Sequence, residues 1–157
     1  MISVNIEGLT ELTRTFESMG KVLRVSFWRE TENVLFATLE EKAKTHRDTG
    51  TLHRNIYSKQ INDGVEAGIK DEGMLVQWGG IRINYASFIL TGTRDHDIAP
   101  KNRKALRWVG SNGRFAFSKG HRVKGIKKDD FLGKTAKETM GKLQGILDKQ
   151  LKQAGVY

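Results

Sequence analysis

Four histidines, His46, His53, His96 and His121, are the side chains in this 157-residue chain best suited to proton transfer or metal ligation. Asp95-His96-Asp97 sets an imidazole between two carboxylates, a donor set that suits Mn²⁺, Mg²⁺ or Zn²⁺. Consecutive side chains point in different directions, however, so three neighbours do not converge on one ion, and the segment reads as a solvated loop. His46 and His53 flank a turn without the i, i+4 helical relation of an HExxH site and read as surface histidines. No serine occupies a nucleophile elbow, and neither Gly79-Gly80 nor Gly110–Gly113 ends in the Gly-Lys-Ser/Thr that grips phosphate. Asp129-Asp130 reads as a helix start, not as an acid–base pair. The absence of cysteine excludes a disulfide framework, a thiolate metal site and a thiol nucleophile. These spacings support no enzyme, no metal and no cofactor.

Charge is more informative. The run Lys101–Lys128 carries ten Lys/Arg and no Asp or Glu. The other 129 residues hold 17 Lys/Arg against 18 Asp/Glu, so the net charge of +9 is a local property of that run. Leu106, Trp108, Val109, Phe115, Phe117 and Val123 alternate there with polar residues, as in strands. A basic two-stranded arm of this kind calls for an acidic protein surface, a nucleic acid or solvent around it. Trp108, Phe115 and Phe117 could stack on bases, but alternate strand positions point first to a packing face. No helix-turn-helix, zinc finger or RNP aromatic pattern accompanies the arm, which argues against sequence-specific readout.

These groups must be positioned by a single domain of ordinary globular composition, 38% hydrophobic and 29% charged. No basic-then-apolar leader opens the sequence and no apolar stretch approaches the ~20 residues of a membrane span, so the expectation is a soluble, cytoplasmic product. Ile2–Ile6 alternates as a strand. A helix with Leu9, Leu12, Phe16 and Met19 on one face follows Gly8, and Gly20 breaks or bends it. A longer helix, Lys21 to His46, places Val22, Val25, Trp28, Leu35, Leu39 and Ala43 on one stripe. Asp48, Thr49 and Gly50 form its exit, with Gly50 suited to positive φ. Leu52–Ile61, Val65–Lys70 and Met74–Trp78 read as an antiparallel meander joined by turns at Asn62-Asp63-Gly64 and Asp71-Glu72-Gly73. Asn84–Leu90 reads as a helix capped by Asn84 and stopped at Gly92, in preference to a strand. Within the basic run, Lys104–Val109 pairs with Arg114–Ser118, and Gly120–Gly125 either continues the ladder or loops back. The last helix starts near Asp129 or Asp130, with Leu132, Ala136, Met140, Leu143, Leu147 and Leu151 as its apolar stripe. The predicted fold class is α+β: an antiparallel sheet packed against a long N-terminal and a C-terminal helix, with a protruding basic β-hairpin.

Four segments also carry a resemblance. Asp48-Thr49-Gly50-Thr51-Leu52-His53-Arg54 resembles the DTG-x-L-[RK] motif of tailed-bacteriophage neck proteins, a family of head–tail joining, tail-completion and virion morphogenesis proteins. Tyr85–Thr93 is similar to their YA-x-aromatic…GT motif, Ile98–Trp108 to I-x-P-K-x-x-K-A-L-x-aromatic, and Phe131-Leu132 with Ala136 to the FL-x-x-A start of their final helix. The four stand in the family's order over about residues 5 to 150.

The resemblance implies a non-enzymatic virion protein, made in the host cytoplasm, that forms a homo-oligomeric ring in the neck. Six-fold order is favoured, with twelve-fold as the other option. Its implied neighbours are a head connector or stopper protein and a tail terminator or tail-tube protein, with passing contact with phage DNA and no membrane. The expected contact residues are Lys101, Arg103, Lys104, Arg107, Trp108, Arg114, Lys119, Arg122, Lys124, Lys127 and Lys128. Asp48, Thr49, Gly50, Thr91, Gly92 and Thr93 are expected to shape turns. Docking on an acidic neighbour is preferred to lining a DNA conduit, since tight phosphate binding would resist DNA movement. Glu30, Glu32, Glu40, Glu41, Asp63, Glu66, Asp71 and Glu72, all before position 75, would give a ring the complementary face its repeated heterologous interface needs. A free-standing, non-specific nucleic-acid-binding protein is the other reading of the arm.

Overall fold

The computed structural model describes residues 2–7, 20–46, 50–62, 64–72, 74–78, 80–110 and 112–155. The expected helix bearing Leu9, Leu12, Phe16 and Met19 lies outside them, as do Asp48, Thr49 and Asp63. The architecture is α+β, with antiparallel strand pairing throughout and long helices towards both ends of the chain. Strand β1 (Ile2–Glu7) leads to helix α1 (Lys21–Lys44) and the single-turn helix α2 (Thr51–Arg54). Strands β2 (Ile56–Ile61), β3 (Gly64–Ile69), β4 (Leu75–Trp78) and β5 (Ile81–Asn84) follow, then the short helix α3 (Ala86–Thr91). Strands β6 (His96–Ile98), β7 (Leu106–Val109), β8 (Phe115–Ser118) and β9 (His121–Val123) precede the final helix α4 (Phe131–Gln153). No helix of the described residues is long and apolar enough to cross a membrane.

The main sheet has the order β1-β3-β2. Strand β3 lies at its centre because every residue but Glu66 is buried, whereas β1 and β2 each have one paired edge. The three-strand meander expected from 52 to 78 is therefore corrected in two places. Residues 51–54 form a helical turn, because Gly50 takes a left-handed φ of 74° and its carbonyl accepts from Arg54 N at 3.1 Å. Leu52 is buried by that turn. Strand β4 pairs with β5, not with β3, whose second edge is already occupied by β1 from Ile2↔Ile69 to Glu7↔Gly64.

Helices α1 and α4 pack antiparallel. Glu30 meets Lys149 at 2.9 Å, Lys42 meets Glu138 at 2.7 Å and His46 meets Asp129 at 2.9 Å, in reverse sequence order along the two helices. Between these polar contacts runs an apolar seam of Phe27, Leu35, Leu39 and Ala43 against Phe131, Leu143, Ile146 and Leu147, continuous with Val65, Ala67 and Ile69 of β3. Burial at this scale stabilises the fold by about 1.5–3 kcal/mol per large apolar side chain. Thr31 and Thr135 are also fully buried in their helices, where each hydroxyl donates to the carbonyl four residues back.

Three stripe positions are exposed, two at the start of α1 and one within α4. Val22 and Val25 are 81% and 43% exposed, so the buried stripe of α1 starts only at Phe27. On α4, Met140 is exposed and Ile146 takes the seam position instead. Helix α4 starts as expected, with the Asp130 carboxylate accepting from Gly133 N at 3.0 Å. Asn84 accepts from Ala86 N at 2.9 Å, which caps α3 from two residues upstream.

Hydrogen bonds from Lys42 and then Lys142 hold the Glu138 carboxyl down at about 2, against an ordinary 4.5. A depressed carboxyl pKa contributes stability that is complete above 4.5 and is lost as pH falls towards 2. Glu138→Gln should therefore flatten the acid limb of a melting-temperature profile within that window. Parallel wild-type and mutant profiles would show that this contact between α1 and α4 contributes nothing to acid stability.

Candidate polyanion-binding arm

The basic run belongs to a longer excursion that leaves the body at α3 and returns at α4. Its two ends are stapled together. Gly92 leaves α3 with φ 75° and its α-carbon lies so close to the returning chain that a Cβ would sit 2.9 Å from Lys128 N. Thr93 N donates to the Ile126 carbonyl at 2.9 Å, and Ile126 N returns a bond to Thr93 Oγ1 at 2.8 Å. Asp95 Oδ1 accepts from Gly125 N at 2.8 Å. Asp129 N then donates to the Ile89 carbonyl at 2.9 Å, tying the start of α4 to α3.

Beyond this clasp are two short ladders. At the root, β6 pairs with β9 from His96↔Val123 to Ile98↔His121. The return through 120–125 thus pairs with β6 and does not extend the hairpin. Further along, β7 pairs with β8 from Leu106↔Ser118 to Val109↔Phe115. Gly110 N closes the turn on the Arg114 carbonyl at 2.8 Å, and Asn112 Oδ1 accepts from Arg114 N at 3.0 Å.

All eleven expected contact residues are exposed: Lys101, Arg103 and Lys104 on the bend before β7, Arg107 and Trp108 on β7, Arg114 before β8, Lys119 after it, Arg122 on β9, and Lys124, Lys127 and Lys128 on the return. They are spread from root to tip and form no single cluster. Among the described residues, Arg122 alone of the ten cations has a carboxylate within 4 Å, Asp95 at 3.8 Å, and it also stands opposite Asp97 in the ladder. Arg122 is thus the one cation of the set with an ion pair in its own chain among the described residues, and it remains exposed.

The register sorts the aromatic residues differently from the expectation of one packing face. Trp108 stands opposite Ala116 and lies 5.2 Å, centroid to centroid, from the His121 ring. Arg107, Val109, Phe115 and Phe117 share the other face, where Val109, Phe115 and Phe117 are 60%, 61% and 66% exposed. On that face the Arg107 guanidinium lies over the Phe115 ring, 4.7 Å from its centroid, in cation–π geometry. The alternation was legible in the sequence; that one face remains open was not.

No protein-family model matches this chain, and no curated protein or solved structure matches it significantly. Its chemistry therefore rests on its own geometry.

Asp95, His96 and Asp97 do not converge: Asp95 turns to Gly125 and Arg122, and His96 Nδ1 lies 3.1 Å from the Arg94 carbonyl. Among the described residues, no group of three or more His, Asp or Glu could hold a metal ion. His46 and His53 are not plain surface histidines. Each is half-buried and bridges elements, His46 to Asp129 at 2.9 Å and His53 to Glu40 at 3.1 Å. Asp129 is held below the usual carboxylate range by the Lys134 ammonium and, second, by the His46 bond.

Of the expected turn residues, Gly50 and Gly92 take positive φ, Thr91 Oγ1 donates to the Ser87 carbonyl at 2.8 Å and Thr93 builds the clasp. The carboxylates expected to form a complementary acidic face are largely occupied within the body. Glu30 binds Lys149, Glu32 accepts from Ser58 and Gln60, Glu40 binds His53, Glu66 accepts from Tyr57 and Lys59, and Asp71 accepts from Asn84.

A Cβ on Gly125 would overlap the Thr93 carbonyl oxygen and lie 2.7 Å from Arg94 C, both backbone atoms that cannot swing away. Gly125→Ala should open the clasp while sparing the seam. Hydrogen exchange should then speed up at the ladder amides of β6 and β9 and stay slow in β3. Unchanged protection in β6 and β9 would refute the assigned role of the clasp.

Proposed function

We propose that this chain is a structural virion subunit of a tailed bacteriophage, forming a homo-oligomeric ring at the head–tail junction that joins the head connector to the tail. One observation carries the reading: ten exposed cations on a single excursion, nine of them with no carboxylate of their own chain within 4 Å among the described residues. An arm so charged is built for a contact outside its own subunit.

The ordered resemblance of four segments to neck proteins supports the same reading. In the fold the described parts of these segments are Gly50 with helix α2, helix α3 with its Gly92 exit, the passage from β6 into β7, and the first turn of α4. Three of the four adjoin the root of the arm or belong to it. The motif residues thus shape the element that makes the contact.

The ring interface and the arm contact are separate in this proposal. Five of the eight body carboxylates, Glu30, Glu32, Glu40, Glu66 and Asp71, are engaged by their own chain, so the next copy in a ring offers the arm a depleted acidic face. The arm is left for a different neighbour, the head connector or stopper on one side, the tail terminator or tail tube on the other, or DNA in passage.

Replacing Lys101, Arg103, Lys104 and Arg107 together by Glu changes only exposed side chains, so the melting temperature of the purified chain should stay near wild type. In phage particles assembled with that variant, filled heads and finished tails should accumulate unjoined. Infectious particles in normal yield would contradict the function.

A further inference from the structure

We infer that the open face of the β7–β8 hairpin binds single-stranded nucleic acid without sequence preference. This goes beyond the ring reading and does not depend on it.

Every copy of the chain carries +9, and a homo-oligomer of any order keeps that net charge per subunit, so self-association leaves +9 per subunit to be balanced. The anion comes from another molecule. Six of the ten cations on the arm are Lys, which is depleted in protein–protein interfaces but serves phosphate well as a flexible point charge. That composition favours a polynucleotide over an acidic polypeptide.

The open face identifies the form of nucleic acid. Phe115 and Phe117 are two residues apart on one strand and point to the same side, about 7 Å apart along it. That is twice the ~3.4 Å rise per nucleotide of a stacked strand, and it suits bases that have been splayed apart. Phe117 offers a ring 66% exposed. Beside it, the Arg107 guanidinium already covers Phe115 and presents a second flat surface on which a base can stack. A duplex hides its base faces inside its own stack and gains nothing from two exposed rings. Arg107 shares the face with the two rings, and Arg114 and Lys119, both exposed, flank β8 at its two ends, so cations border the rings on every side that a crossing strand would leave by. Aromatic platforms flanked by cations, with no hydrogen-bond code for base edges, give binding that tolerates any sequence.

The test measures fluorescence anisotropy of a labelled oligo-dT of about 20 nucleotides with the full chain, against a duplex of equal length and polyglutamate as competitors. The single strand should bind more tightly than either. Phe117→Ala should weaken it by about 5- to 150-fold with the salt slope unchanged, while Phe117→Trp should keep the affinity. Arg114→Gln and Lys119→Gln should each shallow the slope of log K against log[salt] by about 0.7. Melting curves establish that each variant is folded. Duplex binding as tight as oligo-dT, with Phe117→Ala silent, would reduce the face to a plain electrostatic patch and overturn the inference. Displacement by polyglutamate at equal charge would replace nucleic acid with an acidic protein. Absence of any oligo-dT binding at about 50 mM salt would also overturn it. Because the purified chain is used without particles, these outcomes are independent of whether the four-Glu variant joins heads to tails.

Discussion

The antiparallel seam between α1 and α4 fixes everything else in this protein. It supplies the apolar burial on which β3 rests, and it sets the ends of both helices at the place where the arm begins. His46, just beyond α1, bonds Asp129, just before α4, and the backbone of Asp129 bonds Ile89 in α3. The C-terminal end of α1, the start of α4 and helix α3 therefore meet at one corner. The excursion from Gly92 to Lys128 is attached at that corner, and the clasp of Thr93, Asp95, Gly125 and Ile126 closes it.

One consequence is a separation of stability from contact. The buried cluster draws its members from the two long helices, α2, α3, β2, β3 and Met74, and none from β6 to β9. The arm is held by its own ladders and by a few hydrogen bonds at the root. Such a unit opens with a free energy well below that of the whole domain. The body can remain folded while the arm adjusts to what it meets, and surface substitutions on the arm leave the seam untouched.

The parts of the fold that were legible in the sequence are those set by local chemistry. Periodicity gave both long helices, Asp130 and Asn84 marked helix starts, and Gly50 and Gly92 marked turns that take positive φ. The errors come from non-local packing. Val22 and Val25 continue the α1 stripe by spacing, but burial depends on a neighbour that spacing does not specify. The pairing of β4 was misread because β1, some sixty residues earlier in the chain, had taken the free edge of β3. The clasp bridges some thirty residues and has no period to betray it. In the arm, the exposure of the cations follows from the cost of burying unpaired charge, so composition alone was a safe guide. The openness of the Val109, Phe115 and Phe117 face is a fact about what does not pack there, and only the three-dimensional arrangement reveals it.

Charge is unevenly distributed along the arm. Both acidic residues of the excursion, Asp95 and Asp97, lie at its root and face Arg122, so what compensation the arm has is confined to the root, and the region from Lys101 to Lys119 has none. At physiological salt the Debye length is about 8 Å, comparable with the span of a short hairpin, so these cations repel one another across the arm. In the free chain that repulsion opposes any compact arrangement of the loop, and the four-residue ladder of β7 and β8 must hold against it. A bound polyanion would cancel the repulsion and leave the ladder as it is. Association with a polyanion would therefore include relief of that repulsion, an advantage that an arm with alternating charges would lack.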